Sequence, residues 1–251
     1  MLDTLEHPDF EATSLAAAKS ATVSVVVPTR NTAGTIAATI EQIRALSEIG
    51  LVDQILVIDA NSKDGTAQLA RTAGAEVVDE NDLFPELGPT RGKGDAMWRS
   101  LSVARGDIVV FVDGDIADFG PHFVTGLLGP LLTDPHVEYV KGCYTRPLEI
   151  DGVSVPSGGG RVTELTARPL LNARWPELAG FVQPLGGEYA GRRSALEQVP
   201  FAGAYGVEVG LLIDLLDLVG LHGLAQVDLG VRRHTSQSQE ALGAMAGQVV
   251  S

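Results

Sequence analysis

A single cysteine in 251 residues, Cys143, leaves no intrachain disulfide and no thiolate-rich zinc site, which fits a reducing compartment. No apolar run approaches a membrane span, and the N-terminus lacks the basic and apolar regions of a secretory signal; a soluble, cytoplasmic protein is expected. Cations are in the minority, with 18 Lys and Arg against 32 Asp and Glu. The resulting net charge of -14 repels polyphosphates and so argues against a nucleic-acid or anionic-membrane partner. No G-x-G-x-x-G follows the first expected strand, which argues against the usual nicotinamide and flavin enzymes. There is no Walker sequence, and no Ser-His or Cys-His pair is evident.

What is present centres on Ile108-Val109-Val110-Phe111-Val112-Asp113-Gly114-Asp115. The apolar run is too short for a helix and reads as a strand buried on both faces. In open α/β sheets, ligands bind beyond the carboxyl ends of the strands, and Gly114 lets the chain turn with both acids facing that crevice. Two carboxylates so close repel one another unless a cation intervenes, so the pair points to Mg²⁺ or Mn²⁺ with a phosphate-bearing ligand. The alternative is a solvated acidic turn.

Taken in order, residues 1 to 20 read as a frayed leader or a short surface helix. Val23 to Pro28 is a strand that proline should end, followed by a polar loop, Thr29 to Thr35, and a helix marked by Ile36, Ile40, Ile43 and Leu46. Gln54 to Asp59 is a second strand, with a turn-rich loop and a helix at 67–73; Glu76 to Val78 is a third. Asn81 to Gly94 carries too much proline and glycine for regular structure, and Gly92-Lys93-Gly94 is a weak phosphate motif before a helix at 95–104. Helices are expected at 123–132 and 209–219, strands at 137–142 and 225–231, and a glycine-rich loop at 157–163 opening a helix through Leu171. That loop, with Arg161 and Thr163, reads equally as an anion cradle and as a linker. Glu208 opens its helix where the dipole alone would favour an acid. His234, after the last strand, reads either as a metal ligand or as a surface histidine. Three strand-helix repeats before Asp113 indicate a mostly parallel, doubly wound α/β sheet.

With Gly160-Arg161-Val162-Thr163-Glu164-Leu165, Gln183 to Ala190, Tyr205-Gly206-Val207-Glu208 and His234 added to these stretches, the chain resembles the retaining GT-A glycosyltransferases of actinobacteria that make glucosyl-3-phosphoglycerate. The resemblance runs from Val23 onward. It implies a GT-A, Rossmann-like nucleotide-diphospho-sugar transferase fold in one domain, 21–251, with a nucleotide-sugar half at 21–115 and an acceptor half at 116–251. It implies metal-dependent transfer of a hexosyl unit from a nucleotide diphosphate sugar to a small phosphorylated acceptor, and a homodimer. Asp115 and His234 would hold Mg²⁺ or Mn²⁺. Pro28, Thr29, Arg30, Asn31, Asp59, Lys93, Asp113 and Gly114 would bind the donor. Gly160, Arg161, Thr163 and Ser236 would bind the acceptor. Asp115, Lys93 and Glu208, the last beside the donor sugar, would carry catalysis. The chain departs from the family pattern at Thr32-Ala33, in place of an acidic pair, at Ala60 in place of serine and at Ser236 in place of asparagine, and it stops short of the usual C-terminal tail. These departures keep three alternatives open: a paralogue with other substrates, a sugar nucleotidyltransferase and a non-catalytic binding subunit.

Overall fold

The computed structural model describes residues 2–146, 148–150, 153–155, 160–203, 206–232, 243 and 246–247. The three expected repeats form as β2 (Val23–Thr29), α2 (Ile36–Glu48), β3 (Gln54–Asp59), α3 (Thr66–Ala73), β4 (Glu76–Asp79), α4 (Lys93–Ser100) and β5 (Ile108–Phe111). Ahead of them lie β1 (Thr4–Glu6) and α1 (Ala12–Ala18). After them come α5 (His122–Thr133), β6 (Tyr139–Thr145), a small hairpin of β7 (Leu148–Ile150) and β8 (Val153–Val155), then α6 (Arg168–Arg174), β9 (Tyr189–Arg192), α7 (Arg193–Leu196), α8 (Val207–Val219) and β10 (Leu224–Val231).

Eight strands form one sheet in the order β1-β10-β6-β9-β5-β2-β3-β4. All neighbours are parallel except β9, which runs antiparallel between β5 and β6. The strands read as continuous apolar runs because both faces are covered. Val25 and Val27 join Ile36, Ile40, Phe123 and Leu127 on one side, while Val26, Val109 and Phe111 join Met97, Leu211 and Leu215 on the other.

Three expectations change. Pro28 lies inside β2, in register with Ile58, and the strand ends one residue later. The backbone of this parity faces β5, as Val26 does in accepting from Val112, and β5 has already stopped there; the missing proline N–H therefore costs no ladder bond. The segment 81–94 is more ordered than its composition suggests, with 3₁₀ turns at Glu80–Asp82 and Pro85–Leu87. Fully buried Arg99 donates to the carbonyls of Leu83 (2.8 Å) and Gly88 (3.0 Å) and holds these turns against α4, which begins at Lys93 and ends at Ser100.

The leading segment supplies the surface helix α1, but it also supplies an edge strand, with Leu5 paired to Val227 of β10. It is fastened beyond that strand by Phe10, whose ring fills the place a side chain at Gly129 of α5 would need. Gly129→Ala should therefore overpack this contact and cost about 1–3 kcal/mol. Hydrogen exchange should show the loss first as faster exchange in residues 4–18, and unchanged protection there would count against this docking.

Candidate active site

The carboxyl ends of β2, β3 and β5 meet at one edge of the sheet. Asn31, in the left-handed region at φ 55°, closes the first loop; its backbone N–H donates to the Ser62 hydroxyl and its side-chain oxygen accepts from the Lys63 N–H, both at 2.9 Å. The Thr32 and Ala33 amides donate to Thr66 (2.8 Å) and Asp64 (3.0 Å), so the loops after β2 and β3 are laced together. Thr29 ends β2 and faces Asp59, whose carboxylate accepts from the Ser62 amide at 3.0 Å and is buried. Arg30 is exposed beside them. Thr32 and Ala33, where the family pattern has acids, leave a buried Thr32 hydroxyl with no hydrogen-bond partner.

Gly114 sits where a Cβ would press on Thr29, and its carbonyl accepts from the Thr35 hydroxyl at 2.6 Å. The turn after β5 is thereby pinned to the loop after β2. On one side of it Asp113 is gripped by two cations: Lys93 Nζ donates to Oδ1 at 2.7 Å and Arg232 Nη2 to Oδ2 at 2.9 Å. Burial would raise the Asp113 pKa, but Lys93 and Arg232 outweigh it and hold the carboxyl below its ordinary range. Lys93 also donates to Glu208 at 3.0 Å. Burial works against its charge, yet Asp113 and Glu208 prevail and push its pKa above the ordinary lysine value. Glu208 is thus a buried ion-pair partner as well as a first-turn acid of α8.

Asp115 differs from Asp113. Its side chain is 67% exposed, and Arg232 Nη2 lies 3.2 Å from its Oδ1. The same nitrogen stands 3.5 Å from Glu188, and Arg232 Nη1 donates to the Tyr144 hydroxyl at 3.2 Å, which also accepts from Arg146 at 2.7 Å. Burial lowers the Arg232 pKa less than Glu188, Tyr144, Asp113 and Asp115 raise it, so it stays charged.

Arg232, Glu188, Tyr144, Arg146 and Lys141 had no assigned role in the sequence reading. Arg232 could have been found from its neighbour His234, and Glu188 from the glycines before it. Gly187 packs so tightly on Asp113 that a Cβ there would overlap the carboxylate. Lys141 is fully buried in β6, donates to the Gly186 carbonyl and lies 4.7 Å from the Tyr189 ring centre.

On the acceptor side, Gly160 adopts φ 77° and opens a helical stretch in which Arg161 is exposed and Thr163 buried. A wide π turn, Thr163–Ala167, leads into α6. His234 and Ser236, with Tyr205 and residues 157–159 of the glycine loop, lie outside the described residues.

Among the described residues no three His, Cys, Asp or Glu side chains gather as a metal cage. The chemistry available is one exposed hard-oxygen donor, Asp115, at the mouth. That suits Mg²⁺ or Mn²⁺, which keep waters and share a ligand's phosphates, better than a protein-caged zinc.

Residues 24–166 match the model of glycosyl transferase family 2. The chain is 50% identical to a glucosyl-3-phosphoglycerate synthase of Mycolicibacterium smegmatis, covering 98% of this chain and 81% of that one. Among solved structures it matches mannosyl-3-phosphoglycerate synthase from Rubrobacter xylanophilus with a TM-score of 0.92 at 49% identity, covering 98% of this chain and 78% of the other. Glucosyl-3-phosphoglycerate synthase from Mycobacterium tuberculosis in complex with Mn²⁺, uridine-diphosphate-glucose and phosphoglyceric acid matches with a TM-score of 0.90 at 47% identity, over 99% of this chain and 85% of that one.

Lys141 generates a pH prediction. Burial pulls its pKa from 10.5 to about 8, with Glu208 and Glu188 pulling it back and Lys93 adding to the drop. Between those values the unfolded chain holds the extra proton, so stability should rise with pH, by on the order of 3 kcal/mol at most. Below about pH 8 both states are protonated and the penalty is fully present. Urea unfolding at pH 7.5 and pH 10 should show this rise in wild type and not in Lys141→Met; an equal pH response in both would remove Lys141 as its source.

Proposed function

Because this chain belongs to glycosyl transferase family 2, and to the family of the glucosyl-3-phosphoglycerate synthases, we propose that it moves a glucosyl unit from UDP-glucose to 3-phosphoglycerate with retention at the anomeric carbon. The α/β fold with its mostly parallel sheet is that of the GT-A enzymes it matches. The observation that carries the reading is the meeting of Lys93, Asp113, Glu208 and Arg232 where β5 ends, beside the laced loops after β2 and β3.

In this reading residues 21–115 bind the nucleotide sugar and 116–251 the acceptor. Pro28, Thr29, Arg30, Asn31, Asp59 and Gly114 surround the nucleotide, and Asp113 meets its ribose. Asp115 and His234 hold Mg²⁺ or Mn²⁺, which when bound supplies electrostatic stabilisation of the departing diphosphate. Lys93, kept charged by its two carboxylates, is offered to the same diphosphate as negative charge develops there. Glu208 holds Lys93 from the side of the donor sugar. Gly160, Arg161 and Thr163 take the acceptor phosphate, with Ser236 nearby. The acceptor hydroxyl attacks on the face the diphosphate leaves, and a phosphate oxygen takes its proton. A homodimer in the cytoplasm accompanies this proposal, and light scattering after gel filtration tests the assembly.

The similarity to a mannosyl-3-phosphoglycerate synthase, at nearly the same identity as the glucosyl relatives, favours one further reading, in which a mannosyl nucleotide serves as donor. Offering UDP-glucose and GDP-mannose with 3-phosphoglycerate, and reading the products by mass spectrometry and the anomeric proton coupling, tests substrate and stereochemistry together. No glycosylated phosphoglycerate from either donor would overturn the reading.

Asp115→Asn should weaken Mn²⁺-dependent UDP binding and nearly abolish turnover, because a neutral amide is a poor ligand for a hard cation. UDP affinity that is the same with and without EDTA in wild type would remove the metal. Arg161→Lys should raise the acceptor KM about tenfold or more with donor binding unchanged, since lysine cannot reproduce a bidentate phosphate contact. A variant impaired for UDP-glucose and normal for phosphoglycerate would mean that the two pockets are interchanged.

A further inference from the structure

Arg232 carries more acceptors than one guanidinium can serve well. Its Nη2 faces Asp113 at 2.9 Å, Asp115 at 3.2 Å and Glu188 at 3.5 Å. Asp113 also has Lys93, and Asp115 is largely open to water. Glu188 is closed to water, and Lys141, whose charge it favours, donates to the Gly186 carbonyl instead. Glu188 is 0% exposed, its oxygens make no well-formed hydrogen bond although the Tyr144 hydroxyl lies close to them, and its contact with Arg232 is longer than a hydrogen bond. A buried carboxylate in that condition is costly, so Glu188 has the most to gain from a closer guanidinium.

We propose that Glu188 is a positioning residue for the transfer, the second seat of the Arg232 guanidinium, which leaves Asp115 for Glu188 when Asp115 engages the divalent cation. The proposal rests on the reading of Asp115 as a metal ligand. A cation held by Asp115 and the Arg232 guanidinium repel one another, and both draw on the same carboxylate. The Tyr144 hydroxyl, 3.2 Å from Nη1, serves as the pivot, and the guanidinium stands 5.4 Å from the Tyr144 ring centre before the move. The move inward turns the 3.5 Å ion pair with Glu188 into a hydrogen bond and frees Asp115 without expelling a positive charge from the site. Removing the charge of Glu188 leaves Arg232 on Asp115, where it competes with the metal.

The test is an Mn²⁺ titration of the full chain with UDP present, followed by electron paramagnetic resonance, for wild type, Glu188→Gln, Arg232→Met and the double variant. Glutamine preserves shape and removes charge. Glu188→Gln should lower Mn²⁺ affinity about tenfold in the wild-type background and have no effect once Arg232 is methionine. Equal affinity of wild type and Glu188→Gln overturns the proposal, as does a loss of the same size in the Arg232→Met background.

Arg232→Met leaves three carboxylates without this partner and can fail to fold. A second measurement therefore follows the Arg232 side-chain N–H by NMR as Mg²⁺ and UDP are added. The signal should move in wild type and stay in Glu188→Gln; a signal that stays in both, or moves equally in both, overturns the proposal. Asp115→Asn separates the two levels. If it keeps full Mn²⁺ affinity, the metal reading falls and this inference with it; if it loses the metal while Glu188→Gln matches wild type, only the role of Glu188 falls.

Discussion

An alternating chain of charges holds the site together: Glu208, Lys93, Asp113, Arg232 and then Asp115 and Glu188. Its members come from the start of α8, the start of α4, the end of β5, the end of β10 and the approach to β9. Such groups are costly to bury singly, and Glu208, Lys93, Asp113 and Arg232 are tolerated because each is neutralised by the next. The chain therefore couples elements far apart in sequence, and no one of these elements can shift without leaving a buried charge exposed to its own desolvation cost. Lys141 and the Gly186 carbonyl extend the constraint to the loop before β9.

The arrangement also accounts for an acidic protein that handles a diphosphate. The net charge of -14 would repel such a ligand, but the cations that matter are concentrated at one edge and their charge is secured by local carboxylates. Asp113 is tied to Lys93 by one oxygen and to Arg232 by the other. Asp115, two residues on, remains two-thirds exposed, so two identical side chains around one glycine have different chemistry.

The repeats of strand and helix were legible because a strand buried on both faces must be apolar throughout, and the acids at the ends of β3 and β5 stood out against those runs. Pro28 misled by a single residue, since a missing N–H matters only where a neighbouring strand is present to receive it. Lys93 and Asp113 were legible as candidates, but their contact was not, because 20 residues and a turn of backbone separate them. Glu188 was missed for a topological reason. A search for acids just after strands suits a parallel sheet, whereas β9 runs antiparallel, and the residues that reach the ligand edge are those before it. Arg232 directly follows its strand as expected, yet an arginine there reads as a surface cation until Asp113, 119 residues away, is brought beneath it.

The glycine after Lys93 has a mechanical consequence. Gly94 lies so near the Ala202 carbonyl that a Cβ could not be admitted, and that Cβ would also stand 3.0 Å from the Val207 side chain. The first turn of α4 is thus pressed onto the chain that leads into α8, main chain against main chain, with no rotatable group between them. The contact fixes how close the two helix starts lie, and so brings the Lys93 and Glu208 side chains within reach of one another. A residue larger than glycine at 94 would force the two helix starts apart and loosen the Lys93–Glu208 pair with them.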